Sequence, residues 1–302
     1  MMSCWPGNPL LQATIDFTRN VLSGLSESRD HYLSSRQKSK YKEGLIRYLS
    51  RCYSRNELLR WGGLTASSKR LEEVAEGLSG AGYYVLSADF VTEGRLLVGM
   101  SEGLLKQALE VGAVFDPVLA LPYIPGSSIK GLMRSYLINE LKNNEGCLRK
   151  VGELFGNEPG SRIAWKGRVF VADAYPVGLR GDYMLLPDII TPHYYKRGKP
   201  VETELDAEPV PVPHLSVAEG VVFRFVIGLE EGAQELITEI GECLEKALGT
   251  ETKISGTWVT SLLGILAAAL AIAGIGGRTT KGYGSMGLTN ISSIKALSPG
   301  GR

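Results

Sequence analysis

The sequence predicts an α+β protein whose main part is a ferredoxin-like domain with insertions, preceded by an N-terminal helical extension. From residue 81 onward, short apolar runs with strand propensity alternate with segments whose apolar residues recur at helical spacing. Their order is strand, helix, strand, strand, helix, strand, which is the split βαβ layout. Residues 1–80 are instead helical and basic in character. We therefore expect a basic helical segment over residues 1–80 and a ferredoxin-like domain over residues 81–302.

The elements of the second part follow from local patterns. Apolar runs predict the strands, and Ile129, Met133 and Leu137 recur at the spacing of a helix. The chain between the third strand and His214 is rich in proline, tyrosine and acidic residues, and we expect it to be irregular. The predicted strands are residues 83–88, 96–100, 169–174, 221–229 and 287–294, and the predicted helices are residues 126–141, 235–248 and 258–273. Four antiparallel strands with two helices on one face would also be RRM-like, although fold alone does not give function.

The overall composition narrows the classes of function. An apolar fraction of 44% and a charged fraction of 22% are typical of globular proteins. The net charge is +1, from 33 basic and 32 acidic side chains, so any nucleic-acid binding must come from local basic patches. Residues 258–275 contain no charge, but Ser261, Gly264 and several alanines weaken their drive to enter a membrane. We expect a buried core helix there and no membrane span.

The cysteines indicate neither a metal site nor a disulfide framework. They are far apart in sequence, with no CxxC pair and no histidine near them. We expect reduced, mostly buried thiols in a cytoplasmic protein, with no metal and no cofactor. The N-terminal residues MMSCWPGNPL lack the pattern of a secretory signal. The four cysteines are Cys4, Cys52, Cys147 and Cys243.

The N-terminal segment contains a concentrated basic stretch. Between Arg29 and Arg60 there are nine basic residues and three acidic ones. Basic residues mixed with aromatic residues suit phosphate neutralisation and base stacking. The alternatives are a solvated helix face with its tyrosines packed inward, or a surface for a partner protein. The interleaved tyrosines are Tyr32, Tyr41, Tyr48 and Tyr53.

The strongest candidate site is a glycine-rich basic loop at residues 274–287, with the sequence GIGGRTTKGYGSMG. Glycines allow positive φ and a close approach of the backbone to a ligand, and successive amides form an anion-binding nest. Arg278 and Lys281 add positive charge, and Tyr283 offers a face for stacking. The candidate RNA-binding residues here are Gly276, Gly277, Arg278, Thr279, Thr280, Lys281, Gly282, Tyr283 and Gly284.

Three other interpretations of this loop fit its sequence less well. Residues 282–287 match G-x-G-x-x-G, but a dinucleotide fingerprint follows a strand and opens a helix, whereas here a helix precedes and a strand follows. No Walker string G-x-x-x-x-G-K-[ST] occurs. The glycines would also suit a tight turn between helix and strand, but such a turn does not require Arg, Thr, Thr and Lys in succession.

A second candidate site lies in the stretch LPYIPGSSIKGLMR, residues 121–134. Ser127 or Ser128 is a natural N-cap, and the start of a helix favours anions. Lys130 and Arg134 lie one turn apart and would face a bound phosphate together. Residues 127–130 also match the S-x-x-K of penicillin-recognising enzymes, but the companion S-D-N and K-T-G strings are missing.

The histidines offer a weaker hypothesis of catalysis. His31, His193 and His214 form no metal-ligand spacing with each other, with cysteines or with carboxylates. His193 lies in a polar, aromatic and basic stretch, where it would contact RNA or act as an acid–base group in RNA cleavage. The acidic run at residues 202–208 is expected to be a solvated or protein-binding loop.

These motifs together resemble those of the RAMP superfamily of CRISPR proteins. The loop after a helix and the stretch LPYIPGSSIKGLMR carry the resemblance, which extends over about residues 81–295. Within that superfamily the chain is similar to the backbone-capping subunit of type III-B (Cmr) complexes. Further matching strings are ELFG, GRVFVADAYP, DIITPHY, PVPHLSV and FRF.

The resemblance implies a non-catalytic subunit of an RNA-interference complex. It implies crRNA guide and target RNA as ligands, other RAMP subunits as protein partners, and no membrane. No residue of this chain matches the catalytic aspartate of related backbone subunits by motif, so no catalytic residue is expected. The alternative is a metal-independent RAMP endoribonuclease that acts on RNA through a histidine.

Overall fold

The structure of the chain, a computed structural model, describes residue 4 and residues 8–27, 35–99, 113–156, 166–191, 195–196, 199–200, 211–249 and 254–295. The helices are α1 (Pro9–Glu27), α2 (Ser35–Cys52), α3 (Arg55–Trp61), α4 (Gly63–Gly80), α5 (Gly126–Glu140), α6 (Glu145–Phe155), α7 (Ala233–Leu248) and α8 (Trp258–Ala268). The strands are β1 (Tyr84–Thr92), β2 (Val169–Val171), β3 (Tyr175–Leu179), β4 (Leu185–Ile190), β5 (Tyr195–Lys196), β6 (Lys199–Pro200), β7 (Val212–Val217), β8 (Val221–Leu229) and β9 (Met286–Lys295).

The chain divides into two compact units that alternate along the sequence. Unit 1 comprises Met1–Gly63, Leu97–Pro122 and Gly181–Ala218, and unit 2 comprises Leu64–Leu96, Tyr123–Arg180 and Glu219–Arg302. Unit 2 therefore holds α4 together with β1, and unit 1 holds the basic helices α2 and α3.

Unit 2 is built on one antiparallel sheet. Its strand order is β2-β8-β1-β9, and β3 also pairs with β8. Eight consecutive residues of β1 are buried, so both faces of this central strand are covered. On one face the Phe90 and Phe225 rings lie 5.1 Å apart, and Tyr84 contacts Trp258 at the start of α8.

The opposite face of this sheet carries an ion pair and helix α4. Asp89 accepts two hydrogen bonds from Arg224, at 2.7 Å from Nε and 3.1 Å from Nη2. Arg224 also reaches Ser68 on α4, and the hydrogen bond with Asp89 raises the pKa of the guanidinium. Because charged groups and a helix cover it, this part of the sheet does not form the open platform of an RRM-like domain.

Unit 1 contains an antiparallel pair, β4 with β7, and its core is centred on Tyr53. The Tyr53 ring is fully buried against Trp61 and Phe115, and its hydroxyl donates to the Ala120 carbonyl. This burial raises the pKa of the Tyr53 phenol. Because Tyr53 follows α2 directly, these contacts fix the C-terminal end of that helix.

Several predicted elements are confirmed and others are wrong. The helices and strands expected at residues 126–141, 221–229, 235–248 and 287–294 occur within two residues of their predicted bounds. The described residues of the run predicted as a strand at 96–100 belong to no strand of the sheet. Helix α6 was not predicted, and the region expected to be irregular contains β3, β4 and β7.

The cysteines differ from the expected reduced thiols. Cys4 is bonded to Cys52, and Cys147 to Cys243, so each unit contains one disulfide. Their Cα–Cα distances of 5.4 and 6.2 Å lie in the range that a disulfide spans. The bonded cysteines are 48 and 96 residues apart in sequence, so no local pattern predicts either pairing.

The apolar segment that follows residue 257 is divided into α8 and a π-helical turn, Ala269–Ala273. Within the described part of the chain, none of the helices has the length and apolar character needed to cross a bilayer.

Candidate functional site

The glycine-rich loop begins where α8 gives way to the π-helical turn. Thr257 and Thr260 form a capping box at the start of α8, so the helix is well anchored at the end remote from the loop. The amide of Gly274 donates to the Ala269 carbonyl at 3.2 Å and ends the π-helical turn. The loop then leaves the helix from a fixed point.

Residues 93–95, which follow β1, brace the loop. The Gly284 amide donates to the Arg95 carbonyl at 2.8 Å, and the Glu93 amide donates to the Ser285 carbonyl at 3.0 Å. The Ser285 hydroxyl donates to the Glu93 carboxylate at 2.9 Å. A Cβ at Gly94 would lie 2.6 Å from the Gly282 carbonyl oxygen, so the two backbones touch. Residues 93–95 were not predicted as part of the site, because they lie about 190 residues before the loop in the sequence.

Gly284 is required by the geometry of the loop. Its φ is +77°, and a Cβ there would collide with the backbone of Ile275. The Ile275 amide in turn donates to the Gly284 carbonyl at 2.9 Å. This close crossing holds the two ends of the loop together. The loop is therefore a closed and braced structure.

Arg278 and Lys281 project from the middle of the loop. Arg278 adopts a left-handed conformation, with φ +62°, and its guanidinium lies 5.1 Å from the centre of the Tyr283 ring. One face of Tyr283, expected to stack on a base, is therefore covered by Arg278. Lys281 and Thr280 are exposed, and Lys281 ends a short 3-10 turn, Thr279–Lys281.

The loop backbone presents hydrogen-bond donors. Among the residues that the structure describes, no main-chain acceptor pairs with the amides of Gly276, Gly277, Thr279 or Thr280. Amide groups of this kind beside Arg278 suit an anion such as a phosphate. The loop thus combines backbone donors with two cationic side chains.

The start of α5 differs from the prediction. Neither Ser127 nor Ser128 is the N-cap; both are exposed, and Pro125 occupies the cap position. The Gly126 amide donates to the Asp173 carboxylate at 2.8 Å. A carboxylate from the chain itself therefore occupies part of the anion-favouring helix end. Gly126 packs so closely on the Val171 carbonyl that no side chain would fit there.

Lys130 and Arg134 are half-buried on α5. The Lys130 ammonium donates to the Val169 carbonyl at 2.9 Å. Burial lowers the pKa of Lys130, and the nearby Glu230 opposes that effect. Since an ammonium has three donors, one bond to Val169 leaves capacity for a ligand. Helix α5 also packs against the π-helical turn that leads into the loop, which places the two predicted sites on neighbouring elements of unit 2.

The histidines give no support for a catalytic site among the described residues. His214 is fully buried in β7, with Nε2 3.8 Å from the Asp188 carboxylate on the paired strand. His31 and His193, the latter predicted to contact RNA, lie outside the described residues. No group of three or more potential metal ligands occurs in the described part of the chain.

Comparisons with known proteins converge on one group. A profile described as the RAMP superfamily matches residues 80–287. The chain is 32% identical over 249 residues to the CRISPR system CMR subunit Cmr6 of Saccharolobus solfataricus, covering 82% of this chain and 78% of that protein. A chain in the cryo-EM structure of the Type III-B Cmr-beta bound to cognate target RNA is 28% identical, with a TM-score of 0.60, and the alignment covers 95% of this chain and 91% of that one.

A shorter match is to another CRISPR protein. Over 60 residues the chain is 45% identical to the CRISPR system Cms endoribonuclease Csm3 of Methanothermobacter thermautotrophicus, covering 18% of this chain and 24% of that protein. This match spans a small part of both proteins.

Proposed function

This chain belongs to the RAMP superfamily, and we propose that it is a non-catalytic crRNA-binding subunit that caps the RAMP backbone of a type III-B CRISPR RNA-interference complex. Its similarity to the CMR subunit Cmr6 over most of its length supports that placement. Guide RNA, target RNA and other RAMP subunits are its partners in this proposal. The strand order β2-β8-β1-β9, with α5 and α7 in the connections, supports a ferredoxin-like domain.

The braced loop at residues 274–287 is the observation that supports RNA binding most directly. It offers main-chain amides, Arg278 and Lys281 on a backbone held by residues 93–95. A preorganised loop loses little conformational freedom when it binds a phosphate. Base pairing then reads the sequence, while the protein contacts the backbone of the guide, as in other guided effectors.

The start of α5 supplies a second part of the proposed phosphate path. Ser127 and Ser128 expose hydroxyl groups there, and Lys130 and Arg134 follow on the same helix. His193 remains a proposed contact. We also propose that residues 1–80 form a basic segment and residues 81–302 form a RAMP domain. Leu64–Leu96, which spans this boundary, packs as part of unit 2.

The test of the loop assignment is the RNA affinity of the Arg278→Ala/Lys281→Ala variant. A plot of log K against log salt concentration has a negative slope, and each lost phosphate contact reduces the size of that slope by about 0.7 for single strands. The slope of the double variant should therefore be shallower by about 1.4. The matched control is Lys142→Ala/Lys246→Ala, which removes the same charge from exposed positions elsewhere in unit 2. Equal slopes for the loop variant and the control would refute the loop assignment.

The short match to the endoribonuclease Csm3 favours an endoribonuclease as the second candidate function. In this alternative, cleavage is metal-independent and uses a histidine. His214 is buried and cannot reach a substrate in this arrangement. His193 or His31 would have to supply the acid–base group. The loop and the resemblance to Cmr6 over most of the chain support the non-catalytic role instead.

A further inference from the structure

Helix α2 in unit 1 has two opposite faces. Its buried face consists of Leu45, Ile46, Leu49 and Cys52, each at most 6% exposed. Lys40, Arg47 and Arg51 are all exposed. Positions seven and four residues apart fall within about 40° of each other around a helix of 3.6 residues per turn. These three residues therefore form one basic stripe along the solvent side of α2, opposite its buried face.

The basic stripe lies on a firmly held element. Cys52, in the last turn of α2, is bonded to Cys4, and the next residue is the fully buried Tyr53. The Tyr53 hydroxyl is fixed on the Ala120 carbonyl. The three positive charges are thus held in a row, with rises along the axis of about 10 Å and about 6 Å between them.

The charge around the stripe is strongly one-sided. Residues 35–61, which span α2 and α3, contain eight Lys/Arg and two Glu, a net charge of 8 − 2 = +6. The whole chain carries +1, so all other residues together carry 1 − 6 = −5. Glu43 pairs with Arg47 at 3.2 Å, but both side chains are more than half exposed and water screens the pair. The stripe therefore keeps an excess of positive charge.

Two tyrosines of this region, Tyr48 and Tyr53, have hydroxyl groups or rings that are buried. Tyr53 is fully buried, and the Tyr48 hydroxyl is buried as well. Tyr32 lies outside the described residues. Tyr48 and Tyr53 therefore follow the inward-packed alternative for this stretch. A ligand on the stripe would meet cations without an aromatic platform from these two residues, which suits a phosphate backbone more than unstacked bases.

We propose that Lys40, Arg47 and Arg51 form a second RNA-binding surface, in unit 1, that contacts backbone phosphates without reading bases. A straight row of cations on a rigid helix complements a linear polyanion. The surface accepts single-stranded and double-stranded RNA alike, because both present a regular line of phosphates. It shares its class of ligand with the proposed function, but its residues are independent of the glycine-rich loop.

The test compares full-length chains carrying different triple substitutions. Lys40→Gln/Arg47→Gln/Arg51→Gln removes the stripe, and glutamine keeps good helix propensity. The matched control, Lys69→Gln/Lys142→Gln/Lys246→Gln, removes the same charge from exposed positions on three separate parts of unit 2. Binding to a single-stranded RNA and to an RNA duplex of the same length is measured from low to high salt. Circular dichroism and thermal unfolding confirm that both variants fold.

For the stripe variant, the slope of log K against log salt concentration should be shallower by about 2 with single strands and by slightly more with the duplex. The slope of the control variant should change little. The proposal is overturned if the stripe variant has the same slope as the control variant. It is also overturned if the wild-type chain binds no RNA at low salt or if its binding does not weaken as salt is added. A stripe variant that binds RNA normally but no longer joins the other subunits would assign the stripe to an acidic protein partner instead. The Arg278→Ala/Lys281→Ala variant, measured in parallel, reports on the loop alone.

Discussion

At the scale of single residues, Gly284 decides whether the loop can close. Its positive φ and the contact with Ile275 leave no room for a side chain. We predict that Gly284→Ala lowers the free energy of unfolding by at least about 2 kcal/mol. The left-handed backbone costs roughly 1–2 kcal/mol, and the collision of the new Cβ with the Ile275 backbone adds to that cost. RNA binding should fall with it. Chemical denaturation followed by circular dichroism measures the loss.

The matched control for this prediction is Gly131→Ala. Gly131 lies within α5, is exposed, and has no atom within 4 Å of the place where a Cβ would lie. There alanine should raise stability by about 0.5–1 kcal/mol, the usual advantage over glycine inside a helix. If both substitutions had the same effect, the steric account of Gly284 would be wrong.

The candidate loop residues are predicted by a local pattern, whereas the residues that hold the loop in place are not. Glycines next to Arg278 and Lys281 form a local pattern that can be read directly from the sequence. The hydrogen bonds that Glu93 makes to the loop and that Asp173 accepts from the Gly126 amide come from distant parts of the chain, and no periodicity links them. Ser127 or Ser128 was predicted as the N-cap because the sequence does not show that a remote carboxylate already satisfies the first amide of the helix.

At the scale of elements, the disulfide between α6 and α7 carries a prediction of its own. Cys147 and Cys243 are separated by 96 residues, so their bond restricts the unfolded chain strongly. The Cys147→Ser/Cys243→Ser variant should lose about 2–4 kcal/mol of the free energy of unfolding. Chemical denaturation under non-reducing conditions measures this difference.

Thiol titration supplies the control for that prediction. Both disulfides predict that the unfolded, unreduced wild-type chain has none of its four cysteines available to a thiol reagent. After reduction all four should react. If four thiols reacted without reductant, the crosslinks would be absent and the predicted difference in stability would vanish.

The elements that sequence predicts best are those with strong local patterns. The apolar run of β8 and the helical periodicity of α5 and α7 gave bounds close to those observed. Strands β3, β4 and β7 were missed because each contains a proline, which argues against a central strand. Helix α6 had a usable signal, since Asn144 is its N-cap and Val151, Leu154 and Phe155 are buried at helical spacing.

At the scale of the whole molecule, the proposed role predicts that the chain binds RNA without cutting it. Guide and target RNA incubated with the purified chain should remain intact over hours, with and without EDTA, as judged on denaturing gels. This expectation follows from the proposed role, in which the loop at residues 274–287 contacts the RNA backbone through its main-chain amides, Arg278 and Lys281. Cleavage that persists in EDTA and is lost in His193→Ala would establish the endoribonuclease alternative.

The alternation of the two units along the chain constrains how the protein is made. Strand β1 leaves the ribosome early, but its partners β8 and β9 are synthesised far later; Ala88, for instance, pairs with Phe225 and Ile291. Such distant pairings fold slowly, and until then the strand exposes apolar surface and unpaired backbone groups. Unit 1 likewise cannot complete its fold until the chain has been synthesised as far as Ala218. Neither unit corresponds to one continuous fragment, so expression of separate pieces should give aggregation-prone chains, and production depends on the intact polypeptide.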